Sequence, residues 1–389
     1  MAVIAAPGAI VGNLLRGAGS HAARVTDDFG LFYHASGCLA SGSCDPYLVD
    51  ATHAPNMNPP HAHLLFRPLL LVPPSTAFLI WISVSACVVI LCGVRLARSL
   101  ALNISPTWWV VGSIGLLVSA ISASTLASGQ IYAVLLWPVN EAWLAARRGR
   151  WTRAAAWLTV VATIKPLLLL PLAWIVWRQP RTLRIITVTA AAVFGAGVLL
   201  YGVDPYVGWI HSLGLARWSG HYWDGSFLQT LTRLFLPTAF FAPIFSGTTA
   251  IVAVLWVVLT LLLVLDLVRW LPRASIDAAW LGLIAASFLI TPKGWLYAGW
   301  WLLGPAVALN HRAHWRQPAL LLAAGALLLP NTNTILGQPN PWLTPLLGSL
   351  YCWTWILFYL TARLSEPSIH AVSANNRDVP SWTDDPLKR

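Results

Sequence analysis

The chain has 389 residues, of which 57% are hydrophobic and 10% charged, and a net charge of +11 from 24 Lys and Arg against 13 Asp and Glu. A soluble domain carries roughly 25% charged residues, so a soluble enzyme is excluded, and the mean hydropathy of +0.67 describes a chain solvated mostly by lipid. In a soluble protein the basic excess would point to nucleic acid; here it flanks apolar runs, which ties it to membrane orientation and leaves no nucleic-acid partner.

Crossing roughly 30 Å of hydrocarbon takes about 20 apolar residues in helical form. In chain order the apolar segments are 2–15, 69–93, 107–127, 130–146, 154–164, 166–177, 185–202, 247–268, 278–291, 295–310, 318–336 and 342–362. The sequence therefore predicts an all-α, polytopic transmembrane bundle of about 11–12 helices, a single integral membrane domain over residues 1–363. Two external loops, 16–68 and 203–246, are too short and too rich in Pro and Gly to form an independent enzyme domain. The tail from residue 364 to 389 is polar and without pattern, the composition of a disordered cytoplasmic end. Segment 2–15 is short, contains Pro7 and follows no basic residue, so it is a shortened helix, a mis-assigned start or a poor signal peptide.

With the amino terminus inside, most basic residues fall on the cytoplasmic side, including Arg95, Arg147, Arg153, Arg178, Arg269 and Arg363. Arg24, Arg67, Lys165, Arg217, Arg233 and Lys293 fall outside, and Arg16 lies at a boundary. This bias places a multi-pass chain in the plasma or inner membrane, with its external loops facing the periplasm or exterior. It also resolves the apolar run between Arg153 and Arg178. A single crossing would strand one basic cluster outside, so the run is expected to be a helical hairpin with Lys165-Pro166 at its apex. Arms of about a dozen residues reach only ~18 Å, which leaves the apex in a watery cavity below the outer surface. Segments 278–291 and 295–310 repeat the form around Thr291-Pro292-Lys293-Gly294. Irregular backbone at that depth is tolerated where protein or trapped water satisfies it.

The chemistry must then lie at the membrane surface. All the acids assigned outside are Asp27, Asp28, Asp45, Asp50, Asp204 and Asp224. Lys165 and Lys293 are the only lysines before the tail, both in proline-flanked turns, and ionisable groups at such depth are functional candidates that compete with simple snorkelling. His53, His61 and His63 could bind a metal, but the Pro, Asn and Met around them favour a mobile loop, so no metal is expected. Cys38 and Cys44 could close a small loop, whereas Cys87, Cys92 and Cys352 have the setting of buried membrane thiols. The 23 Trp are expected mostly as interfacial anchors. Without a Gly-rich phosphate loop or a cytoplasmic catalytic domain, a nucleotide cofactor or nucleotide-sugar donor is not expected.

The stretch TDDFGLFYHASGCLASGSCDPY, Thr26 to Tyr47, resembles the first external loop of glycosyltransferase family 87, part of the GT-C superfamily of polytopic enzymes. Further matches follow in order: NPPHAHLLFRPLLLVPP, SGQIYAVLL with Gly129-Gln130, the Lys165-Pro166 hairpin, DGSFLQTLTRL and ITPKGWLYAGWW. They depart from the family pattern at Asp224-Gly225, in place of amides, and at Tyr297, where His is common. The resemblance implies transfer of a hexose, mannose by family likeness, from a polyprenyl-phosphate donor to a glycolipid or polysaccharide acceptor, with inversion. It implies Asp28 as the base, with Asp27 beside it, and Tyr33, Tyr47, Gln130, Asp224 and Trp295 near substrate; the residues themselves add Lys165, Lys293, Arg233 and Arg67 as cations that could surround the donor phosphate, and Trp218, Trp223 and Trp295 as aromatics that could stack on a sugar face. A phosphate leaving group needs no protonation, so one carboxylate and several cations suffice. The bland alternative for Asp27 and Asp28 is a pair of solvated acids at the start of a helix. The competing class is a secondary transporter or lipid flippase built on the two hairpins, against which Glu141 and Asp266 are expected to pair with nearby Arg147 and Arg269 rather than relay protons.

Overall fold

Backbone amides in hydrocarbon must be bonded within their own segment, and helices do this. The computed structural model describes residues 28–48, 56–102, 105, 107, 120–215, 224–238, 242–310 and 349–365, and among these it contains helices and no strand. Asp27, His53, Trp218, Trp223, segments 2–15 and 318–336, and all but the start of the tail lie outside the described residues.

The first described element is α1, Asp28–Ser41, in the loop expected outside the membrane. Two 3-10 turns follow, Pro60–Leu65 and Arg67–Leu71, and then α2, Pro74–Ser99. The span expected to start at residue 69 starts later because Pro73 cannot continue a preceding helix, whereas Pro74 suits the first helical position. Next come α3 (Ala120–Ser128), α4 (Tyr132–Arg147), α5 (Trp151–Ile164), α6 (Leu169–Arg178) and α7 (Thr182–Tyr201). The loop expected at residues 203–246 holds α8 (Asp204–Leu215) and α9 (Phe227–Phe235); α10 (Thr249–Trp270), α11 (Ile276–Ile290), α12 (Trp300–Asn310) and α13 (Leu350–Arg363) complete the described order. Among the described residues, only α2, α7 and α10 are both long and apolar enough to cross a membrane alone.

Both expected hairpins are present. Trp151, at the start of α5, meets Trp174 of α6 at 5.7 Å between ring centroids. A continuous helix would separate those residues by roughly 35 Å, so the chain reverses at Lys165-Pro166. In the second pair, Trp143 of α4 bonds Asp277 at the start of α11, and a Cβ on Gly304 of α12 would stand 3.1 Å from the Trp143 ring. The far part of α12 therefore returns to the level where α11 began.

Tryptophan does more in the core than the expected interfacial role. Trp143, Trp270, Trp280, Trp300, Trp301 and Trp355 are among the largest fully buried side chains, and pairs such as Phe288 and Trp355, 4.9 Å apart, tie α11 to α13. Flat rings fill the gaps between short helices, where edge-to-face contacts add to area burial.

One end of the bundle gathers the basic helix termini. Glu141 of α4 accepts from Arg95 of α2 at 2.8 Å and from Arg153 of α5 at 3.2 Å. Arg147 pairs with Asp277 at 3.0 Å, and Arg363 with Asp266 at 3.3 Å. The acids are paired as expected but with other partners: Glu141 takes Arg95 and Arg153 instead of Arg147, and Asp266 takes Arg363 and Tyr359 instead of Arg269. Arg147 lies beyond Glu141 by six positions, about 120° away from it around the helix, so neighbouring helices supply the nearer cations.

Candidate functional site

The other end of the bundle brings the loops and hairpin turns together. Asp28 begins α1, where a carboxylate complements the exposed amides of a helix start. Its neighbour Phe29 is buried against Phe78 of α2 at 5.2 Å, and Phe32 stacks on Phe66 at 4.8 Å. This aromatic seat leaves Asp28 half-buried at the rim. Gly129 approaches it from below: its φ is +68°, and a Cβ there would lie 2.5 Å from that of Phe29. Trp81 donates to the Gly129 carbonyl at 2.8 Å. Gln130 is thereby carried next to the start of α1, with its side-chain oxygen buried and unbonded.

Residues 56–58 are the hub that the sequence did not disclose. Asn56 and Met57 are held through their carbonyls by Ser212 at 2.8 Å and Trp209 at 3.1 Å, both on α8. Tyr47 donates to the Asn58 carbonyl at 2.9 Å. On this clasped segment the two hairpin lysines converge. Lys165 donates to Asn58 Oδ1 at 2.7 Å, and Lys293 reaches Met57 Sδ at 3.1 Å. Both lysine residues are half-buried. Lys165 also lies 4.8 Å from the Tyr132 ring centroid and within electrostatic reach of Asp28; Lys293 feels Asp224 in the same way.

Asp224 stands apart from the other acids because it has no exposed surface. Its Oδ1 accepts the N–H groups of Ser226 and Gly294, each at 2.9 Å, and its main chain bridges to Trp295. Arg233, also fully buried, donates to the Asp224 carbonyl and to Thr230 Oγ1, each at 3.0 Å. Burial pushes the Asp224 carboxyl up from its usual range, opposed by those two amides and by Arg233. Asp224 thus clamps the second loop to the turn that carries Lys293. Ser226 caps α9 by accepting from the Gln229 N–H, and Gln229 bonds the Pro292 carbonyl at 3.1 Å, which reinforces the same junction.

Of the residues singled out in the sequence, Asp28, Gln130, Lys165, Lys293, Asp224 and Trp295 come to this end together. Trp295 stacks on Tyr297 at 6.1 Å, and Tyr297 in turn lies 6.1 Å from Tyr132. Tyr47 takes part through Asn58. Arg67 is exposed over the Tyr201 ring, and Tyr33 donates to the Val72 carbonyl at 2.9 Å, so neither bonds to a lysine, Asp28 or Asp224. Cys38 and Cys44 are disulfide-bonded, which closes the end of α1.

His61 and His63 take ordered places in place of a mobile loop. His61 donates to the Thr163 carbonyl at 3.1 Å and accepts from Tyr206, while His63 accepts from Asn56 at 3.0 Å. Burial pushes both imidazoles down to about 4, so they are neutral struts at pH 7. Asn58 and Tyr132 were missed from the sequence. Their available signals were the Asn-Met-Asn string before Pro59-Pro60 and the position of Tyr132 just after Gly129-Gln130.

An all-helical membrane bundle with short hairpins and charged residues collected at one end is the class that the fold and site define. The sequence model of glycosyltransferase family 87 matches residues 56–292, more than half of the chain, and the chain belongs to that family. It is a membrane glycosyltransferase. The match contains the Asn56–Asn58 hub, Lys165, Asp224 and Arg233; Asp28 precedes it and Lys293 follows it by one residue. A comparison with curated protein sequences returns no match.

Proposed function

We propose that the protein transfers a hexose, mannose by family likeness, from a polyprenyl-phosphate donor to a glycolipid or polysaccharide acceptor at the extracytoplasmic membrane surface. The observation that carries this reading is the convergence of Lys165 and Lys293 on adjacent residues, Asn58 and Met57, with Asp28 within electrostatic reach of Lys165. Two cations and one half-buried carboxylate on a lipid-bounded end match the needs of an inverting transfer from a lipid phosphate.

In that transfer the Asp28 carboxylate accepts the proton of the acceptor hydroxyl. The hydroxyl oxygen forms the new bond to the anomeric carbon as the bond from that carbon to phosphate oxygen breaks. The bonding pair leaves on the lipid phosphate, whose added charge Lys165 and Lys293 balance without protonating it. Asp224 acts one step removed, by fixing the turn that carries Lys293. Gln130, Tyr47 and Trp295 border the substrate, while Arg67 and Tyr33, and Arg233 behind Asp224, support the surrounding loops. The reaction as written uses no cofactor.

Membranes carrying wild-type protein should transfer labelled mannose from polyprenyl-phosphate mannose, and Asp28→Asn at matched expression should lower the rate roughly 10²- to 10⁴-fold, the usual contribution of a general base. Transfer that survives in Asp28→Asn would remove Asp28 from the mechanism and shift the role to Asp27. Absence of transfer by wild type would overturn the choice of donor.

A further inference from the structure

A charged concavity lies at the opposite end from Asp28 and Lys165. The turn between α4 and α5 and the turn between α6 and α7 enclose a cavity of about 590 Å³, lined by Arg150, Trp151, Thr152, Arg153, Gln179 and Arg181 among others. Its three guanidinium groups are not equivalent. Arg153 is engaged by Glu141, which Arg95 already shares. Arg150 and Arg181 are exposed and have no acidic partner among the described residues.

The surroundings distinguish this cavity from an ordinary row of solvated arginines. Arg150 and Arg181 come from different turns yet border one space, so an anion between them meets charge from two sides. Arg181 leads into α7, the most lipid-exposed of the long helices: only 6% of its apolar window is buried, and Leu183 and Val188 are 55% and 56% exposed. Ile185 of α7 lines the cavity itself. A ligand here would have its anionic part between the arginines and an apolar part along α7. The helices that start at the cavity, α5 and α7, have no side-chain cap bond at their first turns, so their amide dipoles add to the same positive potential.

We propose that this cavity binds the phosphate headgroup of an anionic phospholipid, with Arg150 and Arg181 on the phosphate oxygens and the acyl chains lying against α7. Guanidinium groups suit this because they offer paired donors to phosphate, and basic pockets between membrane helices are a recurrent setting for such headgroups. The site lies at the other end of the bundle from the proposed donor site and does not depend on that reading.

The test is native mass spectrometry of the full-length, detergent-solubilised protein with added phosphatidylglycerol or phosphatidylcholine. Phosphatidylglycerol should bind preferentially. Arg150→Gln/Arg181→Gln should weaken that binding about thirtyfold, since each basic residue at such a surface contributes about fivefold, and Arg150→Lys/Arg181→Lys should retain most of it. Melting in phosphatidylcholine nanodiscs should be the same for wild type and both variants, which separates loss of binding from loss of fold. Equal binding of the two lipids, or wild-type affinity in the Gln variant, would overturn the proposal. So would equally tight competition by inorganic phosphate, which would make the cavity a site for free anions.

Discussion

Gly129 occupies a backbone conformation at φ = +68° that side chains rarely adopt, and it stands against Phe29, the residue after Asp28. Two separate constraints therefore fall on one position: a left-handed turn and a close approach. Gly129→Ala should destabilise the protein by roughly 1–3 kcal/mol and lower transfer further than the lost stability explains, because the start of α1 must move. Thermal melting and transfer rates measured on the same preparation check this; an unchanged melting temperature would show that the turn relaxes freely. The Gly-Gln pair was legible in the sequence as a motif. Its contact with Phe29 was not, because the two residues are brought together only when α2 packs between α1 and α4. Asn58 was hidden for a similar reason: an asparagine beside two prolines has the local composition of a loop, and only the folded hairpin brings Lys165 to its amide.

At the scale of elements, α5 and α6 are too short to span alone and depend on their neighbours. The sequence was sufficient to find that hairpin, since a single crossing would have placed a basic cluster on the wrong side. It was not sufficient to assign the ion pairs, which lie between helices. Glu141 is 5% exposed and joins α2, α4 and α5, whereas Asp266 is 40% exposed and joins α10 to α13. Glu141→Gln should cost about 1–3 kcal/mol, discounted for the partial exposure of both arginines, and Asp266→Asn less than about 1 kcal/mol. Both variants should keep transfer activity once folded. Thermal unfolding in detergent ranks the two, and a larger loss in Asp266→Asn would contradict the assignment of Glu141 as the tie between three helices. Loss of function in folded Glu141→Gln or Asp266→Asn would instead favour a transporter-like role for those acids.

At the scale of the whole molecule, the basic helix ends and the lysine-bearing turns occupy opposite ends of the bundle. In the proposed topology, which follows the positive-inside bias, the Lys165 and Lys293 end lies outside. In a Cys87→Ala background, Val203→Cys should react with a membrane-impermeant maleimide on intact cells, and Arg148→Cys only after permeabilisation. Val203 is 60% exposed just beyond α7, and Arg148 is exposed in the turn between α4 and α5, so both thiols are reachable from their own side. The reverse labelling pattern would invert the proposed topology and place transfer on the cytoplasmic face.

The sequence by itself determined the all-helical membrane class, the two hairpins and the family, because apolar length, charge bias and motifs in series are local or cumulative properties of a chain. Only the tertiary structure decided that Lys165 and Lys293 meet on Asn58 and Met57, that Asp224 and Arg233 are sealed as a clamp, and that Glu141 is shared between two arginines. Those arrangements join residues from 107 to 236 positions apart in the lysine contacts. Hydropathy and charge bias choose which end of a helix a residue occupies, but packing between helices chooses its partner.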